Sequence, residues 1–178
     1  PTALDGVGDI AGILHAAAAL PKTFDQSEAA AETNQTIDRN VIDFAARRDM
    51  PLVYFSGTAV YGLRCDGVPE TGLDESASLD PPGAYLAEKV WAERYGAEQL
   101  ANKFSALRVC APYGPDMQAR TVLTIFCQRA LGAEPLTYHG GGTREQDFTH
   151  VDDVAHAARL ALESPGGVFN IAAGQPVT

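Results

Sequence analysis

In the stretch GAYLAEK, residues 83–89, Tyr85 and Lys89 stand four apart in a run rich in Ala and Glu, where a helix brings both onto one face. The chain has six tyrosines and three lysines. Random placement therefore puts a lysine four residues after a tyrosine only about 0.1 times. Tyrosine, with an ordinary pKa of about 10, donates a proton at neutral pH but accepts one poorly unless its phenolate is stabilised. A lysine one helical turn away supplies a stabilising charge, and its ammonium can also donate to a ribose hydroxyl. Such a pair can pass a proton to or from a carbonyl or carbinol oxygen while a nicotinamide carries the hydride. A neighbouring hydroxyl would orient that oxygen, and Ser56 and Thr58 are the candidates.

Short apolar runs alternating with longer helix-like segments indicate βαβ units and a parallel sheet. Strands are expected near 12–16, 52–56, 105–110 and 168–172. Helices are expected from Glu28 to Arg48, stopping before Pro51; from Pro82 to Ala101, with proline in the first turn; from Arg120 to Leu131, stopping at Gly132; and from Asp152, as N-cap, to Glu163. In a doubly wound α/β sheet, ligands sit outside the carboxyl ends of the strands. Those ends carry Ala16, Ala17 and Ala18; then Ser56, Gly57 and Thr58; then Ala111, Pro112, Tyr113 and Gly114. The alanines would let a flat ligand approach the backbone, the middle end offers hydroxyls, and Tyr85 opens the helix that follows it.

At 178 residues and 46% hydrophobic, the chain can bury one sizeable core. Its longest apolar stretch, GILHAAAAL, is too short to span a bilayer, and PTALDGVGD has no signal-like character. A soluble cytoplasmic protein is expected. The net charge of −10, without a Lys/Arg cluster, argues against a nucleic-acid partner. Cys65, Cys110 and Cys127 fall outside any CxxC pattern and read as reduced filler in apolar elements. His15, His139, His150 and His156 have no metal-ligand spacing, and Asp152 and Asp153 read as cap and helix-dipole residues, so no metal site is expected.

Seven collinear segments carry a resemblance: HAAA (15–18), Asn34 with RNVIDFAAR (39–47), VYFSGTAVYG (53–62), YLAEK (85–89), LRVCAPYGP (107–115), QDFTHVDDVA (146–155) and GVFNIAAGQPVT (167–178). Together they resemble the extended short-chain dehydrogenase/reductase superfamily and, within it, the NAD-dependent epimerase/dehydratase family. The resemblance implies a Rossmann-type doubly wound parallel sheet across 1–178, with 112–150 contributing substrate-side loops. It implies catalysis by Tyr85 and Lys89 with Ser56 or Thr58. NAD, or NADP, would be held by Ala16, Ala17, Ala18, Asn34, Ser56, Tyr85, Lys89 and Pro112, and a sugar, nucleotide-linked, by Thr58, Ala111 and Arg144. It further implies a homodimer paired through the helices at 28–48 and 82–101.

The family's Gly-rich βα unit has no counterpart here, since GVGDIA (6–11) matches the pattern but lacks a strand before it and a helix after it. The chain therefore reads as an internal piece of such a protein, incomplete at its N-terminus. Three positions depart from the family pattern. Gly57 stands where the catalytic Ser or Thr is placed, Ala111 where Asn contacts the diphosphate side, and Gln146 where Arg precedes the DF pair. These departures keep two alternatives open, an NAD(P)H-dependent ketone or aldehyde reductase and a non-catalytic dinucleotide-binding fragment. Asn170 and Asp147 are expected to tie loops together by hydrogen bonds.

Overall fold

The computed structural model describes residues 6, 8–21, 27–62, 72–117, 121–138 and 140–178. Four parallel strands form one sheet: β1 (Ile13–His15), β2 (Leu52–Gly57), β3 (Phe104–Val109) and β6 (Gly167–Ile171), in the order β1-β2-β3-β6. Two short strands, β4 (Pro112–Tyr113) and β5 (Thr149–His150), make a second parallel pair at the carboxyl end of β3. Helices α1 (Ser27–Arg47), α2 (Ala84–Leu100), α3 (Val122–Leu131) and α4 (Val151–Leu162) connect them. All four expected sheet strands form, within a residue or two. The pair β4–β5 was not expected, because two residues per strand leave no periodic signal.

Alternation along β2 and β3 builds the two faces of the sheet. Leu52, Tyr54, Phe104 and Ala106 pack with Ile42 and Ala45 of α1 and Ala92 and Leu100 of α2. Val53, Leu107 and Val109 pack on the other face against Val154, Ala158 and Ala161 of α4. At Gly96 of α2 a Cβ would collide with the Phe104 ring, so glycine lets the helix lie close to the sheet. Helix α3 buries none of its side chains, and Cys127 on it is exposed rather than apolar filler. Cys110 is half-buried beyond β3, and Cys65 lies outside the described residues.

Helix ends follow local chemistry. Helix α1 closes where Asp49 takes φ 56 and the Met50 amide donates to Ala45 O, a left-handed cap that turns the chain into Pro51 and β2. Helix α2 starts after Gly83, at φ 79, so Pro82 precedes the helix instead of lying in its first turn. The N-cap of α4 is His150, whose Nδ1 accepts from the Asp152 amide, while Asp152 and Asp153 occupy the first turn. Residues 8–12 run irregularly into β1, with no helix following the glycines of the GVGDIA segment.

A buried ion pair fixes α2 to β3. Arg108 and Glu93 are 4% and 5% exposed. Arg108 Nη2 donates to Glu93 Oε2 at 2.6 Å, and Nε reaches both carboxylate oxygens at 3.1 and 3.2 Å. Arg108 Nη1 donates to Tyr61 OH at 2.8 Å and to Glu75 O at 3.3 Å. Tyr61 OH in turn donates to Asn170 Oδ1, and Asn170 Nδ2 donates to Leu73 O. Asp147 accepts from the amides of Ala173 and Gly174. Asn170 and Asp147 thus tie loops, as their side chains suggested.

Breaking a buried pair strands its partner's charge, at a cost of about 3–5 kcal/mol. Arg108→Met should therefore destabilise the complete protein by about that amount in urea denaturation, and Arg108→Met with Glu93→Leu should recover much of the loss. An Arg108→Met cost within about 0.5 kcal/mol of zero would mean that the pair is not buried in solution.

Candidate active site

Helix α2 carries Tyr85 and Lys89 on the face turned to the carboxyl end of β2. The Tyr85 amide donates to Ser27 Oγ at 3.0 Å, so the first residue of α1 satisfies one of the free amides at the start of α2. Lys89 is 8% exposed and inserts its ammonium beside the strand. Nζ donates to Phe55 O at 3.1 Å and to Tyr54 OH at 3.3 Å, and lies 5.5 Å from the centre of the Tyr85 ring. Acceptors among the described residues take two of its three protons, which leaves one for an outside acceptor.

Below Lys89 lies a polar cluster that the motifs did not reveal. Asp38, 2% exposed on α1, accepts from His15 Nε2 at 2.7 Å and from Tyr54 OH at 2.9 Å. Glu88, 6% exposed, has both carboxyl oxygens buried without a hydrogen-bond partner among the described residues. The signal was present but faint. Asn34 and Asp38 extend the buried Ala30–Ile42–Ala45 stripe of α1 at helical spacing, so two polar residues occupy core positions.

Burial sets the protonation of this cluster. It pushes the Glu88 carboxyl up to about 8, with Asp38 adding to the rise and Lys89 opposing it. Burial likewise lowers Lys89 from its usual range, opposed by Asp38, Glu88 and Glu93. The phenols of Tyr54 and Tyr85 are both held above the usual range, first by burial and then by the two carboxylates. For Tyr85 this reverses the expected effect of Lys89. Burial, then Glu88 and Asp38, raise the Tyr85 phenol, which favours its protonated, proton-donating form.

The remaining candidates surround this point unevenly. Ser56 shares the α2-facing side of β2 with Tyr54, and its Oγ is buried without a partner among the described residues. Gly57 is extended, at φ −149 and ψ 151, and a single 3-10 turn begins at Thr58. A Cβ at Gly57 would meet only Val109 O, at 3.7 Å, which is ordinary contact. Ala16, Ala17 and Ala18 are exposed beyond β1. Asn34 holds their loop: its Oδ1 accepts from the Ala19 amide at 2.6 Å and its Nδ2 donates to Ala19 O at 3.0 Å.

Ala111, at φ 32, takes a left-handed conformation uncommon for a residue with a Cβ, and Thr149 N donates to its carbonyl. Pro112 is exposed in β4. Arg144 is exposed and donates to Gln146 Oε1 at 3.3 Å, and no hydrogen bond or ion pair among the described residues joins it to Tyr85 or Lys89. Gln146 itself bridges to Val177 and donates to Asp147 O. No group of His, Cys, Asp or Glu among the described residues is placed to hold a metal ion. None of the described helices is long and apolar enough to cross a membrane.

The chain is similar to solved structures across most of its length. A UDP-N-acetylglucosamine 4-epimerase from Methanobrevibacter ruminantium M1, in complex with UDP-N-acetylmuramic acid, is 27% identical with a TM-score of 0.77, over 93% of this chain and 56% of that one. A UDP-glucose 4-epimerase from Thermotoga maritima, with UDP-glucose, is 26% identical with a TM-score of 0.77, over 94% and 57%. A UDP-N-acetylglucosamine 4-epimerase from Bacillus cereus, at 21% identity and a TM-score of 0.84 over 98% and 61%, shares the fold. The chain thus spans a little over half the length of these relatives. A model of the NAD dependent epimerase/dehydratase family matches residues 3–172, so with its parallel sheet and flanking helices the chain belongs to the NAD-dependent epimerase/dehydratase family.

Proposed function

We propose that the complete protein is an NAD(P)-dependent epimerase or dehydratase acting on a nucleotide-linked sugar, with Tyr85 as the proton-transferring group. The observation that carries this reading is the placement of the Lys89 ammonium, fixed by Phe55 O and Tyr54 OH and 5.5 Å from the Tyr85 ring, at the carboxyl end of β2. The residues present suit a dinucleotide on its nicotinamide-ribose side. The side-chain-poor ledge Ala16–Ala18 admits a flat group, Lys89 has a proton to give a ribose hydroxyl, and Ser56 has a buried hydroxyl without a partner among the described residues. Bound there, the nicotinamide would supply a hydride acceptor and donor.

The chain's own residues then have separable tasks. Tyr85 exchanges the proton of the sugar hydroxyl as its carbon is oxidised and reduced. Lys89 supplies the charge that favours the phenolate once a ligand contributes its own hydrogen bonds. Ser56, on the same side of β2 as Tyr54, orients the reacting oxygen in place of the hydroxyl absent at Gly57. Arg144, exposed on the loop before Gln146, is the cation for the diphosphate side. A plain carbonyl reductase is the second reading. It is favoured by Gln146, a neutral amide that offers no cation to a diphosphate and whose NH2 is engaged with Asp147 O and Cys110 Sγ.

In the complete protein, Tyr85→Phe should lower turnover of UDP-hexoses by about 10²–10⁴-fold, with NAD affinity by calorimetry nearly unchanged. Lys89→Met should damage both. A Tyr85→Phe enzyme that keeps most of its rate would remove the relay. The hydroxyl has its own test in steady-state rates: Ser56→Ala should cost on the order of a hundredfold, while Gly57→Ser, which has room for its Cβ, should be neutral or faster. An unchanged rate in Ser56→Ala would exclude Ser56 as the orienting group.

A further inference from the structure

Two carboxyl groups lie buried together below Lys89, and the chemistry of Tyr85 and Ser56 accounts for neither. Asp38 comes from α1 and Glu88 from α2, at 2% and 6% exposure. Asp38 is well supplied, taking a hydrogen bond on each oxygen from His15 and from Tyr54. Glu88 is not: both of its oxygens are buried, and no donor among the described residues reaches them. A carboxylate left in that state would cost several kcal/mol, and the Asp38 carboxylate, whose charge acts on Glu88, adds repulsion. A single proton on Glu88 removes both penalties, because the neutral acid then has a hydrogen to donate and Asp38 has lone pairs left to accept it.

We propose that Asp38 and Glu88 share one proton beneath Lys89, and that this singly charged carboxyl pair is the positioning element that holds the ammonium against Phe55 O and Tyr54 OH for the relay at Tyr85. The charged and titratable groups facing the pair come from every packed element: His15 of β1, Tyr54 of β2, and Tyr85 and Lys89 of α2, with Glu93 one turn beyond Lys89. With the proton in place, Asp38 and Lys89 balance. Without it, the second negative charge opposes ionisation of Tyr85, on which Glu88 acts directly. Asp38 and Glu88 are therefore positioning residues, acting through Lys89 and not on substrate.

This inference rests on the relay reading above, but its first readout needs neither cofactor nor sugar. In the complete protein labelled with ¹³C at the side-chain carboxyl carbons, one glutamate should titrate near pH 8, and its signal should vanish in Glu88→Gln. In Asp38→Asn that midpoint should fall by about one unit or more. The ε-carbon of Lys89, identified by its loss in Lys89→Met, should also titrate lower in Asp38→Asn and return in Asp38→Glu.

Stability offers an independent arm. Glu88 holds its proton more tightly folded than unfolded. Its contribution is therefore complete below about pH 4.5, the ordinary value, and is lost as pH rises through about 8. The urea midpoint should fall across that window in wild type and less so in Glu88→Gln. If every carboxyl of the wild type titrates in the ordinary range, or the high midpoint ignores Asp38→Asn, the shared proton is overturned. If that titration appears while Tyr85→Phe retains turnover, the relay reading fails and the shared proton stands.

Discussion

Lys89 carries its ammonium to a position only 8% exposed, where an unpaired charge would cost several kcal/mol. Each neighbour can be read as an answer to that cost. The strand carbonyl at Phe55 and the hydroxyl of Tyr54 accept two of its protons, and Asp38 supplies the opposing charge through Tyr54. Tyr54 can do this only because β2 alternates, sending it to the same face as Leu52 and Ser56 and into the seam between α1 and α2. His15, at the end of β1, completes the chain of hydrogen bonds, so three consecutive elements of the sheet face converge on one cation.

A second buried charge explains why α2 cannot slide. Glu93, one turn beyond Lys89, is clamped by Arg108 of β3, and Arg108 in turn holds Tyr61 and, through it, Asn170 of β6. The register of Tyr85 over the end of β2 is thereby tied to the two strands beyond it. Ser27 fixes the other end by accepting the Tyr85 amide. Between these two anchors the helix presents Tyr85, Glu88, Lys89 and Glu93 along one side, and Gly96 brings that side close to the sheet.

Much of this was legible in the sequence, because hydrophobic runs and prolines mark strands and helix ends by simple sterics. The strands at 52–57 and 104–109 and the Tyr85–Lys89 pair are of that kind. The buried polar cluster was not. Helix α2 hides two glutamates and a lysine among its buried residues, so charge patterning, which assigns charged positions to solvent, misreads its inner face. Nor could spacing alone reveal that Tyr85 stands above its ordinary pKa, since burial raises it first, with Glu88 and then Asp38, 47 residues away in sequence, adding to the rise. The extended Gly57 and the 3-10 turn at Thr58 likewise leave no sequence signature.

The proposed relay gives the proton to Tyr85 and leaves the carbon-bound hydrogen to travel within the site. A label on that hydrogen tests most directly whether it stays within the site. The complete protein, with NAD, would be given a UDP-hexose carrying deuterium at the carbinol carbon to be oxidised, and the product read by mass spectrometry. The account predicts that deuterium is retained in the sugar product and that the reaction slows on deuteration. Deuterium lost to water, or product formed without any slowing in single-turnover conditions, would contradict it.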